Sequence, residues 1–91
     1  MTEERAEQVR RIAELAHGRV VARNDDVMTI EVPADVSIGL HRLWGQGGFA
    51  VQFRGQTTRA APRRVTNTNG QTIVCEGDLV TTAFYTLDVQ L

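Results

Sequence analysis

The stretch Arg63 to Glu76, RRVTNTNGQTIVCE, decides how the second half of the chain folds. Asn-Gly at the centre of a two-residue loop supplies the positive backbone angles of a type I′ turn, whose twist matches that of the strands it joins. A hairpin turning at Asn69-Gly70 sets a register in which Thr68 faces Gln71, Val65 faces Val74, Arg64 faces Cys75 and Arg63 faces Glu76. Arg63 and Glu76 are then a cross-strand ion pair.

Outward from this hairpin, turn formers divide the flanking sequence. Upstream, GQTTRAAP reads as a loop displaying Arg59, preceded by FAVQFR. There Phe49, Val51 and Phe53 alternate with Ala50, Gln52 and Arg54, the pattern of a half-buried strand. Downstream, Gly77-Asp78 reads as a turn. A final strand from Leu79 puts Leu79, Ala83, Tyr85, Leu87, Val89 and Leu91 on one face and Val80, Phe84 and Asp88 on the other.

The N-terminal half opens with an amphipathic helix. Thr2 suits the N-cap, Glu3 and Glu4 suit the positive end of the helix dipole, and Ala6, Val9, Ile12, Ala13 and Ala16 recur at helical spacing over residues 3–16. Gly18 serves as the C-terminal stop. RVVARN, Asp25-Asp26 and VMTIEVP read as a hairpin ended by Pro33, with Met28, Ile30 and Val32 on one face. ADVSIGLHRLW fits both helical spacing and strand alternation. Asp35 as N-cap and Gly45 as terminator favour a short helix at 35–44. The helix followed by GRVVARNDDVMTIEV resembles the start of Sm-like barrels and departs from that pattern beyond the strand, so no family is assigned.

The expected fold is one α+β domain. Its N-terminal helix packs on a strongly bent, mainly antiparallel sheet or small β-barrel of about six strands.

Composition excludes several chemistries. The chain has 91 residues, 42% hydrophobic and 23% charged, with net charge −1. All ten basic residues are arginine, so Schiff-base, P-loop and kinase-type lysine chemistry have no residue to perform them. A lone Cys75 precludes an internal disulfide and, with His17 and His41 isolated in sequence, offers no zinc ligand set. Arg64 opposite Cys75 would favour a thiolate, but a small packing residue is the simpler reading of that cysteine. The acidic pairs Asp25-Asp26 and Glu76/Asp78 lie at turns, where nothing raises a carboxyl pKa for acid catalysis. WGQGGF lacks the long following helix of a phosphate site. No catalytic residue, metal, cofactor or small-molecule substrate is expected. The charged N-terminus and the lack of a long apolar run point to a cytoplasmic protein without a membrane segment.

Charge is uneven along the chain: residues 54–72 carry +4, residues 1–53 carry −2 and residues 73–91 carry −3. Arg54, Arg59, Arg63 and Arg64 form the expected partner-binding set, with Trp44 and Tyr85 as aromatic anchors, because Trp, Tyr and Arg dominate interface hot spots. Self-association is a further expectation, since the last strand has apolar residues on both faces and offers an edge. The expected function is a non-catalytic protein-protein interaction module, either a subunit of a larger assembly or a small adaptor or inhibitor. Such a chain fits a phage or mobile-element product as well as a bacterial accessory protein. The alternative is a nucleic-acid-binding small barrel using the same arginines on phosphates, against which stands the lack of interleaved aromatics for base stacking.

Overall fold

The computed structural model describes residues 2–91; the side chain of Thr2, and with it the expected cap, lies outside the description. Helix α1 (Thr2–Leu15) leads into strands β1 (Arg19–Arg23) and β2 (Val27–Pro33), helix α2 (Ala34–Gln46) and the long strands β3 (Val51–Thr66) and β4 (Thr72–Gln90). Among the described residues the four strands form one antiparallel sheet in the order β1-β2-β4-β3. It is open, with β1 and β3 as edges, so the last strand, expected to offer an edge, is instead central, paired on both sides. The expected six strands or barrel is therefore corrected to a four-stranded open sheet with two helices.

Both helices lie on one sheet face. Ala6, Val9 and Ala13 of α1 and Leu40 and Trp44 of α2 share a core with Met28, Ile30 and Val32 of β2 and Leu87 and Val89 of β4. Register explains the grouping: Met28 pairs with Val89, Ile30 with Leu87 and Val32 with Tyr85, so alternation sends all six toward the helices. Full burial of each large aliphatic stabilises by about 1.5–3 kcal/mol. Small residues on α1 let its axis approach the sheet closely.

Helix α1 ends in a Schellman motif. His17 takes the left-handed conformation at φ 63°, its N–H bonds Glu14 O at 3.1 Å, and the Gly18 N–H bonds Ala13 O at 2.8 Å. Gly18 is required for a different reason from the expected stop: a Cβ there would sit 2.6 Å from Val32 Cγ1 and 2.9 Å from Glu31 O. In the turn that follows, Asn24 Oδ1 accepts from the Asp26 and Val27 N–H groups at 2.9 and 2.8 Å. Pro33 both ends β2 and caps α2. Asp35 lies inside the first turn of that helix rather than at its N-cap. The helix also runs past Gly45, to a C-cap at Gly47, before Gly48 turns the chain at φ 90°.

The largest departure from the sequence reading is the length of the last hairpin. GQTTRAAP continues β3 instead of looping out, because each of its residues pairs with β4: Gly55 with Thr86 through to Pro62 with Leu79. Pro62 is tolerated because β3 is an edge strand and needs no donor on its outer side. Gly77-Asp78 is not a hairpin turn either. The partner of Pro62 is Leu79 and the partner of Arg63 is Cys75, so Glu76, Gly77 and Asp78 form a three-residue bulge, called the knuckle below.

At the tip, the expected type I′ turn is replaced by a wider loop. Thr66 pairs with Thr72, the Asn67 N–H bonds Gln71 O at 2.9 Å, the Gly70 N–H bonds Asn67 O at 3.0 Å, and only Gly70 has a positive φ, 80°. Asn67 Oδ1 also accepts from the Asn69 and Gln71 N–H groups, each at 3.0 Å. These bonds build a type I turn closed by a glycine bulge, and they shift the register by one residue. Arg63 therefore faces Cys75 and Arg64 faces Val74.

Candidate docking surface

Alternation along β2 and β4 sends Thr29, Glu31, Phe84, Thr86 and Asp88 to the face away from the helices. Two arginines of the long β3-β4 hairpin, called the ribbon below, fold onto this face. Arg54 Nη1 lies 3.5 Å from Asp88 Oδ1, which also accepts the Thr29 hydroxyl at 2.6 Å. Arg59 donates to Glu31 Oε1 from Nε at 3.2 Å and from Nη2 at 2.9 Å, while its guanidinium lies 4.1 Å over the Phe84 ring. Glu31 is 8% exposed and has Arg19 at 3.4 Å as a second partner. Arg59 thus covers a buried aromatic ring and neutralises a buried carboxylate together.

The other two arginines sit beyond the bulge. Arg63 Nη2 meets Asp78 Oδ2 at 2.5 Å, so its partner is Asp78 and the expected Glu76 pair does not form. Both acids lie in the knuckle, and Asp78 is the one within reach of Arg63. Arg64 Nη2 meets Asp35 Oδ1 at 2.6 Å, tying the far ribbon to the start of α2. Arg59 and Arg64 line one cavity of about 270 Å³ with His17, Pro33, Val74 and Phe84. Arg54 is outside it.

The two aromatic candidates separate. Trp44 is 1% exposed and belongs to the core. Tyr85 is half-buried on the helix face, edge-to-face with Phe53 at 5.1 Å between ring centroids and 77° between planes. Together with Leu87 these rings floor a groove of about 350 Å³ walled by Ile38, His41 and Arg42 of α2. Ile38 and Phe53 are 72% and 55% exposed, large apolar side chains facing water across the groove.

Sequence reading missed Ile38, His41 and Arg42. The usable signal was that Ser37, Leu40 and Trp44 define the buried stripe of α2, which leaves Ile38 and Arg42, one turn apart, off that stripe. Arg42 has no carboxylate partner among the described residues, unlike the four ribbon arginines.

Cys75 is half-buried and unpaired. No group of three or more His, Cys, Asp or Glu side chains gathers among the described residues, and no described helix is long and apolar enough to cross a membrane.

No family model matches the chain, and no curated protein or solved structure matches it significantly.

Proposed function

We propose that this chain is a non-catalytic protein-protein interaction module, a subunit of a larger assembly or a small adaptor or inhibitor, that docks through its long β3-β4 ribbon. The observation that carries this reading is the contrast between charge and apolarity on the ribbon. All four ribbon arginines already meet carboxylates of the same chain, at Asp88, Glu31, Asp78 and Asp35. The +4 of residues 54–72 is thus no free polycation for a phosphate backbone. By contrast Phe53, Val65, Ile73, Leu79 and Val80 are exposed, a concentration of large apolar side chains that suits a protein partner.

The paired arginines remain useful in such a contact. A guanidinium has five N–H donors, and one carboxylate uses at most two or three, so Arg54, Arg59 and Arg63 retain donors for a partner's carbonyl or carboxylate oxygens. Their own acids hold them in place, which lowers the ordering cost of binding. Tyr85 contributes from the groove on the opposite sheet face. In a cytosolic setting Cys75 remains a thiol.

Titration of single- and double-stranded oligonucleotides across a salt series tests the reading. No binding at low salt is expected, since few uncompensated cations are available to release counterions. Micromolar affinity with a steep salt slope would overturn it in favour of nucleic acid.

A further inference from the structure

We infer that the groove between α2 and Phe53 is the receptor half of a contact between copies, and that its occupant is the knuckle of a second copy of this chain. This inference rests on the protein-contact reading and names the partner.

The groove combines an apolar floor with cationic walls. Phe53, Tyr85 and Leu87 make the floor, Ile38 adds an exposed aliphatic, and His41 and Arg42 supply nitrogen donors, Arg42 with a permanent charge. No carboxylate lines it. It therefore selects a short segment in which an acid stands beside an apolar side chain. Arg42 has no ion-pair partner among the described residues, so an incoming carboxylate displaces no existing one.

The chain itself carries that chemistry at the knuckle. Glu76, Gly77 and Asp78 have no partner across the ladder, and Leu79 follows them at 62% exposure. Asp78 is occupied by Arg63, but Glu76 has no ion pair among the described residues. The knuckle thus carries one exposed, unpaired carboxylate three residues before an exposed leucine, the complement of Arg42 with Ile38 and Phe53. Groove and knuckle lie on different parts of the ribbon: Phe53 pairs with Leu87, whereas Leu79 pairs with Pro62 nine residues further along β3. Each copy therefore carries one groove and one knuckle, and each can be filled by, or can fill, that of another copy. Reciprocal exchange of groove and knuckle closes a two-fold dimer, whereas one-way contacts continue into a ring or a filament.

The test uses two exposed-surface variants of the full chain. Arg42→Glu disables only the groove; Glu76→Gln/Leu79→Asn disables only the knuckle and introduces no charge that could pair with Glu at position 42. Wild-type protein should self-associate with rising concentration, and each variant alone should do so at least about tenfold more weakly, the effect of losing one hot spot. An equimolar mixture should form a 1:1 dimer of twice 10.1 kDa that grows no further, because it contains one intact groove-knuckle contact. Circular dichroism of each variant checks that both remain folded. A wild type that stays monomeric to about 1 mM, the level of the weakest specific contacts, would overturn the inference. So would variants that associate as tightly as wild type, or a mixture that stays monomeric. A monomeric wild type refutes this contact alone, whereas oligonucleotide binding refutes the protein-contact reading beneath it.

Discussion

The same substitution, glycine to alanine, should act in opposite directions at Gly18 and Gly39. At Gly18 the new methyl carbon would lie 2.6 Å from Val32 Cγ1, 2.9 Å from Glu31 O and 3.1 Å from Ala13 O. Two of these neighbours are backbone oxygens, and Val32 is fully buried and β-branched, so none can move aside without separating α1 from β2. Overpacking of this kind costs about 1–3 kcal/mol. For a domain of this size each kcal/mol moves the melting temperature by about 4–8 °C, so Gly18→Ala should melt roughly 5–20 °C below wild type. At Gly39, exposed in the middle of α2, a Cβ meets nothing within 4 Å. Alanine there should stabilise by about 0.5–1 kcal/mol, through the helix propensity glycine lacks. Thermal unfolding followed by far-ultraviolet circular dichroism, on both variants under one buffer, gives the comparison. Equal shifts, or a Gly18→Ala variant as stable as wild type, would refute the close approach of helix and sheet at that residue.

Further predictions concern the charges and the end of α1. Arg59→Ala should destabilise by about 2 kcal/mol, below the 3–5 of a fully buried pair because Arg19 still reaches Glu31, while Arg54→Ala at an exposed pair should cost under about 1 kcal/mol; chemical denaturation separates them. His17→Gly should stabilise by about 1 kcal/mol by relieving the left-handed conformation at φ 63°, read as a higher melting temperature. Hydrogen bonding from Arg10 holds the Glu7 carboxyl below the usual glutamate range. Its depressed folded-state value means that the helix support from this pair is present above the unfolded glutamate pKa and is lost as pH falls through the folded one. Arg10→Ala should raise the Glu7 titration midpoint measured by NMR.

Local signals made the N-terminal half legible. The 3.6-residue spacing of Ala6, Val9 and Ala13, the β-branched runs around Asp25-Asp26, and Pro33 as a boundary each act within a few residues, and the observed elements follow them. The ribbon was not legible, because what keeps it continuous is pairing with a distant strand. Pro62, Gly55 and Gly77-Asp78 carry turn chemistry, yet the β4 partners of Gly55 and Pro62 hold the chain extended and the knuckle absorbs the surplus residues. Edge position is what makes Pro62 acceptable, and edge position is a property of sheet order. The apolar residues on both faces of β4 have the same origin: as a central strand it sends Leu87 and Val89 to the helices and Phe84 beneath Arg59. The surplus on β4, Ile73, Leu79 and Val80, remains exposed, as do Phe53 and Val65 on β3. Arginines Arg54, Arg59, Arg63 and Arg64 were visible as a cluster, but their acids come from β4, β2, the knuckle and α2, four places that only the fold brings to them.

Sedimentation equilibrium of the wild-type chain across a concentration series tests the central claim most directly. Contact through the groove and knuckle predicts a weight-average mass that rises from the 10.1 kDa monomer to a dimer or beyond, and that falls back when Arg42 is changed to Glu. A mass of 10.1 kDa at every concentration, or a dimer unaffected by that change, would contradict it.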